Sequence, residues 1–307
     1  MGGKHISREA DESVVGMLDH WSPTYRALGY RFSIGTNVSG VVDYLRPIFQ
    51  PFETRLVPDT VYRFVALDDA KGPTYVLYVD GQGLDTHRNP AAALSTLFWH
   101  VNRQVIAHSQ DYLLIHAAAV ADGGDALVFP APEESGKTTL AAGLVRSGLQ
   151  YLTDEVVAID LSTGLVEPFP RALSVDRGSW QALADVRPHT TTRTRPFVGK
   201  QWQLPPRSIR ADAIGARARP SLIILPHYRQ GKPTELTPLG RADAVRVMAE
   251  QSFNLRVHGG GAVALLAELA RGAECYRLGI SDLDEACELV RAAFDNRRGG
   301  ARSPVRP

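Results

Sequence analysis

The sequence predicts an α/β protein centred on a strand–loop–helix unit and preceded by a smaller α+β region. Three observations carry that reading. A short, mostly apolar run, Asp125-Ala126-Leu127-Val128, leads into Phe129–Thr139 (FPAPEESGKTT), after which Leu140, Leu144, Val145 and Leu149 recur at helical spacing. Tyr151–Asp160 (YLTDEVVAID) reads as an apolar strand with an acidic pair inside it. Beyond residue 220, strand patterns at 221–225 and 274–280 alternate with helical ones at 242–251, 261–271 and 283–294, Asp282 being the N-cap of the last.

Composition bounds the function classes. The chain has 307 residues, 44% hydrophobic and 22% charged, which is ample for a buried core in one large or two ordinary domains. Lys and Arg number 34 against 33 Asp and Glu, so no global basic field argues for nucleic acid. Two cysteines, Cys275 and Cys287, are too few for a disulfide framework, and no secretory signal is legible, so a cytoplasmic location is expected. No stretch has the eighteen or so uninterrupted apolar residues of a membrane span.

Taken in order, a short helix is expected around Glu12–His20, then a half-buried strand over Tyr30–Ile34. Val41, Val42, Leu45, Ile48 and Phe49 fit a short amphipathic helix stopped by Pro51. Thr60–Leu67 and Thr74–Val79 read as strands, Asp80-Gly81 as a turn, and His87 and Arg88 as solvated loop residues. Asn89-Pro90 opens a helix running to about His108. The expected boundaries are an N-terminal domain over 1–108, a main domain over 109–295 and a disordered tail over 296–307, basic and rich in Gly and Pro. Residues 185–220, rich in Arg, Pro and Thr, suggest a mobile, substrate-facing loop.

The central loop carries the chemistry. A helix opening near Lys137 leaves backbone N–H groups unpaired and partial positive charge at its N-terminus, which suits phosphate. In Ser135-Gly136-Lys137-Thr138, Gly136 lets the backbone approach, Lys137 reaches terminal phosphates and the Thr138 hydroxyl ligates Mg²⁺. Ala131 stands where the full phosphate-loop pattern has its first glycine. Glu134, Ser135, Gly136, Lys137, Thr138 and Thr139 are the expected nucleotide contacts. The acidic pair Asp154-Glu155 strengthens the reading, because ionised carboxylates in a core-facing strand need a cationic partner such as a metal-bound nucleotide. His116 lies in the apolar run Leu113–Val120, which Asp122-Gly123-Gly124 turns into the loop-bearing strand. It is either a satisfied core histidine or a neighbour of the phosphates.

Taken together, IHAAAV, LVFPAPEESGKTTLAAGLVRSGLQYLTDEVVAID, PFPRALSV, ILPHY, QSFN and CYRLGISDLDEA resemble the HPr kinase-related proteins. These share the catalytic fold of HPr kinase/phosphorylase and, more distantly, of phosphoenolpyruvate carboxykinase. The resemblance covers about residues 110–295. It implies a P-loop, HPr kinase/carboxykinase-like mixed sheet with flanking helices, and an ATP- and Mg²⁺-dependent phosphotransferase acting on a hydroxyl. It further implies Lys137 as the phosphate-loop lysine, Thr138 and Glu155 as metal-facing groups, Asp154 as general base, and His116 near the terminal phosphate. Phosphoryl transfer needs little more than positioned groups, charge neutralisation and one proton acceptor.

The loop departs from the family in carrying Glu134 where glycine is usual, with Glu133 before it. A non-glycine residue at positive φ costs about 1–2 kcal/mol. A carboxylate about 6 Å from a phosphate charge is opposed by roughly 3 kcal/mol at an effective dielectric near 20. The expected function is therefore a kinase for a peptide, protein or small-molecule hydroxyl, with a nucleotide-binding scaffold or sensor of little catalysis as the alternative. A decarboxylating carboxykinase-like enzyme is weaker, because no carboxylate-binding arginine set is assignable. The expected partners are a nucleotide and the acceptor, with neither nucleic acid nor membrane; a homo-oligomer is left open.

Overall fold

The structure, a computed structural model, describes residues 16–301. Residues 12–15 of the helix expected around Glu12–His20 lie outside them; residues 16–20 are described and are not helical, with a turn at 16–17 and a strand beginning at His20. The chain divides into two compact units, one formed by residues 1–110 with 188–203 and the other by 111–187 with 204–307. Residues 188–203, part of the segment read as a substrate-facing loop, thus belong with the first unit.

Among the described residues, the first unit is a mixed sheet with two α-helices. Its strands are β1 (His20–Trp21), β2 (Thr24–Ala27), β3 (Tyr30–Thr36), β4 (Glu53–Thr54), β5 (Thr60–Asp69), β6 (Gly72–Val79) and β7 (Gln82–His87). They run in the order β4-β2-β3-β5-β6-β7, with β1 on β3. His87 ends a strand rather than lying in a loop: its Nε2 is 2.9 Å from Thr96 Oγ1 and 3.1 Å from Asp85 Oδ2. Helix α1 (Val41–Phe49) buries Val41, Leu45, Ile48 and Phe49. Helix α2 (Pro90–His108) starts as its sequence dictates: the Asn89 side chain accepts from Ala91 N at 2.8 Å, and Pro90 needs no donor there.

The second unit carries the central loop. Its elements are β8 (Tyr112–Asp122), β9 (Asp125–Pro130), α3 (Lys137–Arg146), β10 (Gln150–Thr153), β11 (Val156–Asp160), β12 (Val166–Glu167), β13 (Leu173–Val175), β14 (Trp202–Leu204, at the unit boundary), α4 (Pro206–Ile209), β15 (Arg219–Tyr228), β16 (Glu235–Pro238), α5 (Arg241–Glu250), α6 (Leu255–Gly272), β17 (Glu274–Ile280) and α7 (Leu283–Ala301). The main sheet runs β12-β11-β8-β9-β15-β17-β16, with β10 also on β8. It is mixed: β9 is antiparallel to β8 and parallel to β15, which is parallel to β17. Ala244 and Met248 of α5, with Ala262, Leu266 and Ala270 of α6, bury against Leu113, Ile115, Ala117 and Ile223. Helix α3 packs on β8 and against α7.

Two local readings change. Residues 151–160 are not one strand but two, β10 and β11, which pair with different halves of β8. The break falls at Asp154-Glu155, where Thr153 Oγ1 accepts from Glu155 N at 3.5 Å and Val156 N at 3.4 Å. That side-chain turn competes with ladder pairing and puts the carboxylates at a kink. At the C-terminus, α7 continues through Ala301, past Asn296, where the sequence suggests that disorder begins. Among the described residues no helix is long and apolar enough to cross a membrane.

Candidate functional site

The β8–β9 hairpin sets the loop in place. Asp122 pairs with Asp125 across Gly123 and Gly124, both at positive φ, and the register continues to Ala117 opposite Pro130. β9 therefore ends beside His116, one residue beyond the last pair. Where β9 leaves, residues 251–254 take over beside β8. His116 N donates to Gln251 O at 2.8 Å, Phe253 N to Leu114 O at 2.9 Å, and Leu114 N to Asn254 Oδ1 at 2.9 Å. This brings the half-exposed Phe253 ring to 5.9 Å from the His116 ring.

The loop turns into α3 through Gly136, at φ 92°, a left-handed conformation that glycine adopts without strain. No side chain caps the N-terminus of α3. Glu134 is also left-handed, at φ 60°, a conformation that strains a residue other than glycine. Glu133 and Glu134 are both exposed. Ser135 is buried, and among the described residues its Oγ is a buried hydroxyl without a hydrogen-bond partner.

Lys137 is 6% exposed, and its ammonium donates to Ala131 O at 2.8 Å and Pro132 O at 2.7 Å. Burial lowers its pKa, against the opposing charges of Glu155, Asp154 and Glu133. Thr138 Oγ1 donates to Asp154 Oδ2 at 3.3 Å. Thr139 turns elsewhere, with Oγ1 2.5 Å from Ser179 Oγ, so its hydroxyl is not part of this cluster.

The two acids differ sharply. Asp154 is 1% exposed. Its Oδ1 accepts from the Tyr151 hydroxyl at 2.8 Å, and its Oδ2 from Ser174 N at 3.2 Å besides Thr138. The Glu155 side chain is 33% exposed, with Oε1 3.9 Å from His116 Nε2 and Oε2 3.6 Å from Arg171 Nη1. Burial and then Lys137 depress the His116 pKa, in part offset by Glu155, Gln251 and Glu133. Burial opposes the charge of Arg171, but Asp154, Glu155 and Tyr151 together carry its pKa above the ordinary arginine value.

The structure thus gathers His116, Ser135, Gly136, Lys137, Thr138, Asp154 and Glu155, leaves Glu134 exposed and turns Thr139 to Ser179. Sequence reasoning missed Tyr151 and Arg171. A signal for Arg171 was present: an arginine in the extended apolar run PFPRALSV needs an anion once buried. Tyr151 carried none, because a tyrosine in a strand is ordinary core.

The site can be tested for the groups the resemblance implies. An unpartnered buried serine hydroxyl, a buried lysine and an uncapped helix N-terminus form a donor set that fits a phosphate chain. The Thr138 hydroxyl beside the Asp154 carboxylate is an all-oxygen pair of the kind Mg²⁺ takes together with substrate phosphates and water. Among the described residues no cluster of three or more His, Cys, Asp or Glu is arranged to hold a metal alone.

No family model matches the chain, and no curated protein matches it. Among solved structures, the Hpr(Ser) kinase/phosphatase from Coxiella burnetii is similar over 62% of this chain and 99% of its own, at 11% identity and a TM-score of 0.31. An overlap that loose carries no weight for the activity.

Proposed function

We propose that the chain is an ATP- and Mg²⁺-dependent kinase that transfers the γ-phosphoryl group to a hydroxyl on a peptide, a protein or a small molecule. The observation that supports this most is the loop between β9 and α3, which carries both a buried, unpartnered Ser135 hydroxyl and, two residues on, a buried Lys137 ammonium. Such a cradle has donors to spare, and the anions that act on Lys137 are the carboxylates of Glu155, Asp154 and Glu133. Lys137 folds onto loop carbonyls, weak partners for an ammonium, and a polyphosphate would draw it away from them.

In this reading Ser135, Gly136 and Lys137 hold the phosphates, and Thr138 with a carboxylate holds the metal. The second carboxylate takes the proton of the attacking hydroxyl. Bound Mg²⁺ supplies neutralisation of the charge on the phosphate oxygens. Protein groups fixed before the substrate arrives do the rest, since they need no reorganisation during transfer.

The test is incubation with γ-labelled ATP, Mg²⁺ and a cell extract. Label should enter a product, identified by mass spectrometry, and that product should vanish with Lys137→Ala. A second reading, a nucleotide-binding scaffold or sensor, draws support from the two exposed glutamates and the strained Glu134 backbone. Binding of ATP without any transfer would favour it.

A further inference from the structure

The adjacent acids Asp154 and Glu155 occupy different surroundings, and these allot them different work. We infer, on the kinase reading above, that Glu155 takes the proton of the acceptor hydroxyl, while Asp154 belongs to the metal side of the site. This exchanges the roles that the resemblance implies.

A general base must come within about 2.6–3.2 Å of the proton it removes, directly or through one water. Asp154 is 1% exposed, and its two oxygens already accept from Tyr151, Thr138 and Ser174. A substrate hydroxyl reaching it would have to enter a buried carboxylate on which three donors already converge. Glu155 is a third exposed, and its nearest cations stand at 3.6 and 3.9 Å, beyond hydrogen-bond distance. Its lone pairs are open to an incoming O–H.

The partners divide the same way. Asp154 shares the Thr138 hydroxyl, the group that ligates Mg²⁺ in a phosphate loop. Glu155 instead has His116 and Arg171 as its charged neighbours. Arg171 also donates to Ser174 Oγ at 2.8 Å, so its guanidinium is held from two sides. It is a positioning residue: its charge attracts Oε2 from 3.6 Å, with Oε1 toward His116. In the transfer, the acceptor oxygen bonds to the γ-phosphorus as the bond from that phosphorus to the β–γ bridging oxygen breaks. ADP leaves with the bridging oxygen, and the acceptor proton passes to the Glu155 carboxylate.

The experiment measures ATP affinity by calorimetry with and without Mg²⁺, and labelled phosphoryl transfer to the extract, for the full chain and three variants. Asp154→Asn should lose most of the gain in ATP affinity that Mg²⁺ brings, at least about tenfold, since Mg²⁺ is held partly through such carboxylates. Glu155→Gln should keep that gain within about twofold, yet transfer about 10²–10⁴ more slowly, the scale of general-base removal. Arg171→Lys should bind Mg²⁺ and ATP like the parent and transfer at an intermediate rate. If Asp154→Asn unfolds, Thr138→Val reports the metal side in its place. A Glu155→Gln protein that loses the Mg²⁺ gain, or that transfers at the parental rate, overturns the inference. A parent that binds no ATP, or binds it and transfers nothing, overturns the kinase reading instead.

Discussion

The Tyr151 hydroxyl donates to Asp154 Oδ1 at 2.8 Å, with both side chains almost wholly out of water. The bond spans the kink between β10 and β11 and holds the acid still beneath the loop. Burial, and then the Asp154 charge, push the Tyr151 pKa well up, so the phenol is a donor at any ordinary pH. Tyr151→Phe removes that donor and leaves a buried carboxylate oxygen short of a partner, at a cost of about 1–3 kcal/mol. Urea unfolding should show the loss as a lower midpoint at unchanged slope. A variant as stable as the parent would mean that water replaces the phenol.

The neighbouring threonines separate metal binding from packing. Thr138 faces Asp154, whereas Thr139 faces Ser179. Thr138→Val should therefore raise the Mg²⁺ concentration needed for half-maximal ATP binding several-fold, on the order of tenfold. Thr139→Val should leave it unchanged. Equal effects would place the loop in a different register.

Of the two loop glutamates, it is Glu133 whose charge acts on Lys137 and His116. Its side chain is exposed, so the effect on a bound polyphosphate is screened. Glu133→Gln should tighten ATP by about threefold at low salt and by less at 0.5 M, because surface charge effects fade with ionic strength. Glu134→Gln should change affinity little. The reverse ranking would show that Glu134 turns inward when nucleotide binds.

Glu134 matters instead through its backbone. At φ 60° it sits in the left-handed region, which costs an ordinary residue about 1–2 kcal/mol and asparagine less. Glu134→Asn should raise the melting temperature by about 2 °C in a protein of this size. Glu134→Gly should gain less, because the unfolded chain then has more conformations to lose. Differential scanning calorimetry decides, and a fall with Asn would show that the Glu134 side chain contributes contacts to the loop.

A pH-sensitive group lies in the first unit. The Tyr62 hydroxyl is 2.8 Å from His100 Nδ1 and 2.9 Å from the Tyr30 hydroxyl. Burial, and then Arg103, lower the His100 pKa from its ordinary 6.5. As pH falls below that value the unfolded chain takes up a proton that the folded one resists. Stability from this residue is thus fully present above about pH 6.5 and falls on acidification, until the lowered folded pKa is passed. His100→Gln should flatten that part of the stability–pH profile, measured by thermal melts between pH 5 and 7.5. An unchanged profile would show that His100 does not titrate differently on folding.

By itself the sequence determined what depends on residues near one another along the chain. The helix over Val41–Phe49, the Asn89 cap, the turn at Gly123-Gly124 and the passage from β9 through Gly136 into α3 follow from spacing and turn chemistry. The grouping of Lys137, Thr138 and the two acids was legible because the Ser135–Thr138 run and the nearby acidic pair are both short stretches of sequence. Only the tertiary structure decided what each acid faces. Ser174 and Arg171 arrive from the segment after β12, Gln251 and Phe253 from the end of α5, and residues 188–203 join the first unit rather than the second. Contacts of that kind join positions tens of residues apart, and they are made by burial and hydrogen bonding across space, which impose no period on the sequence. The different surroundings of Asp154 and Glu155 arise in the same way: next to each other in the chain, they are sent to opposite partners by a single break in a strand.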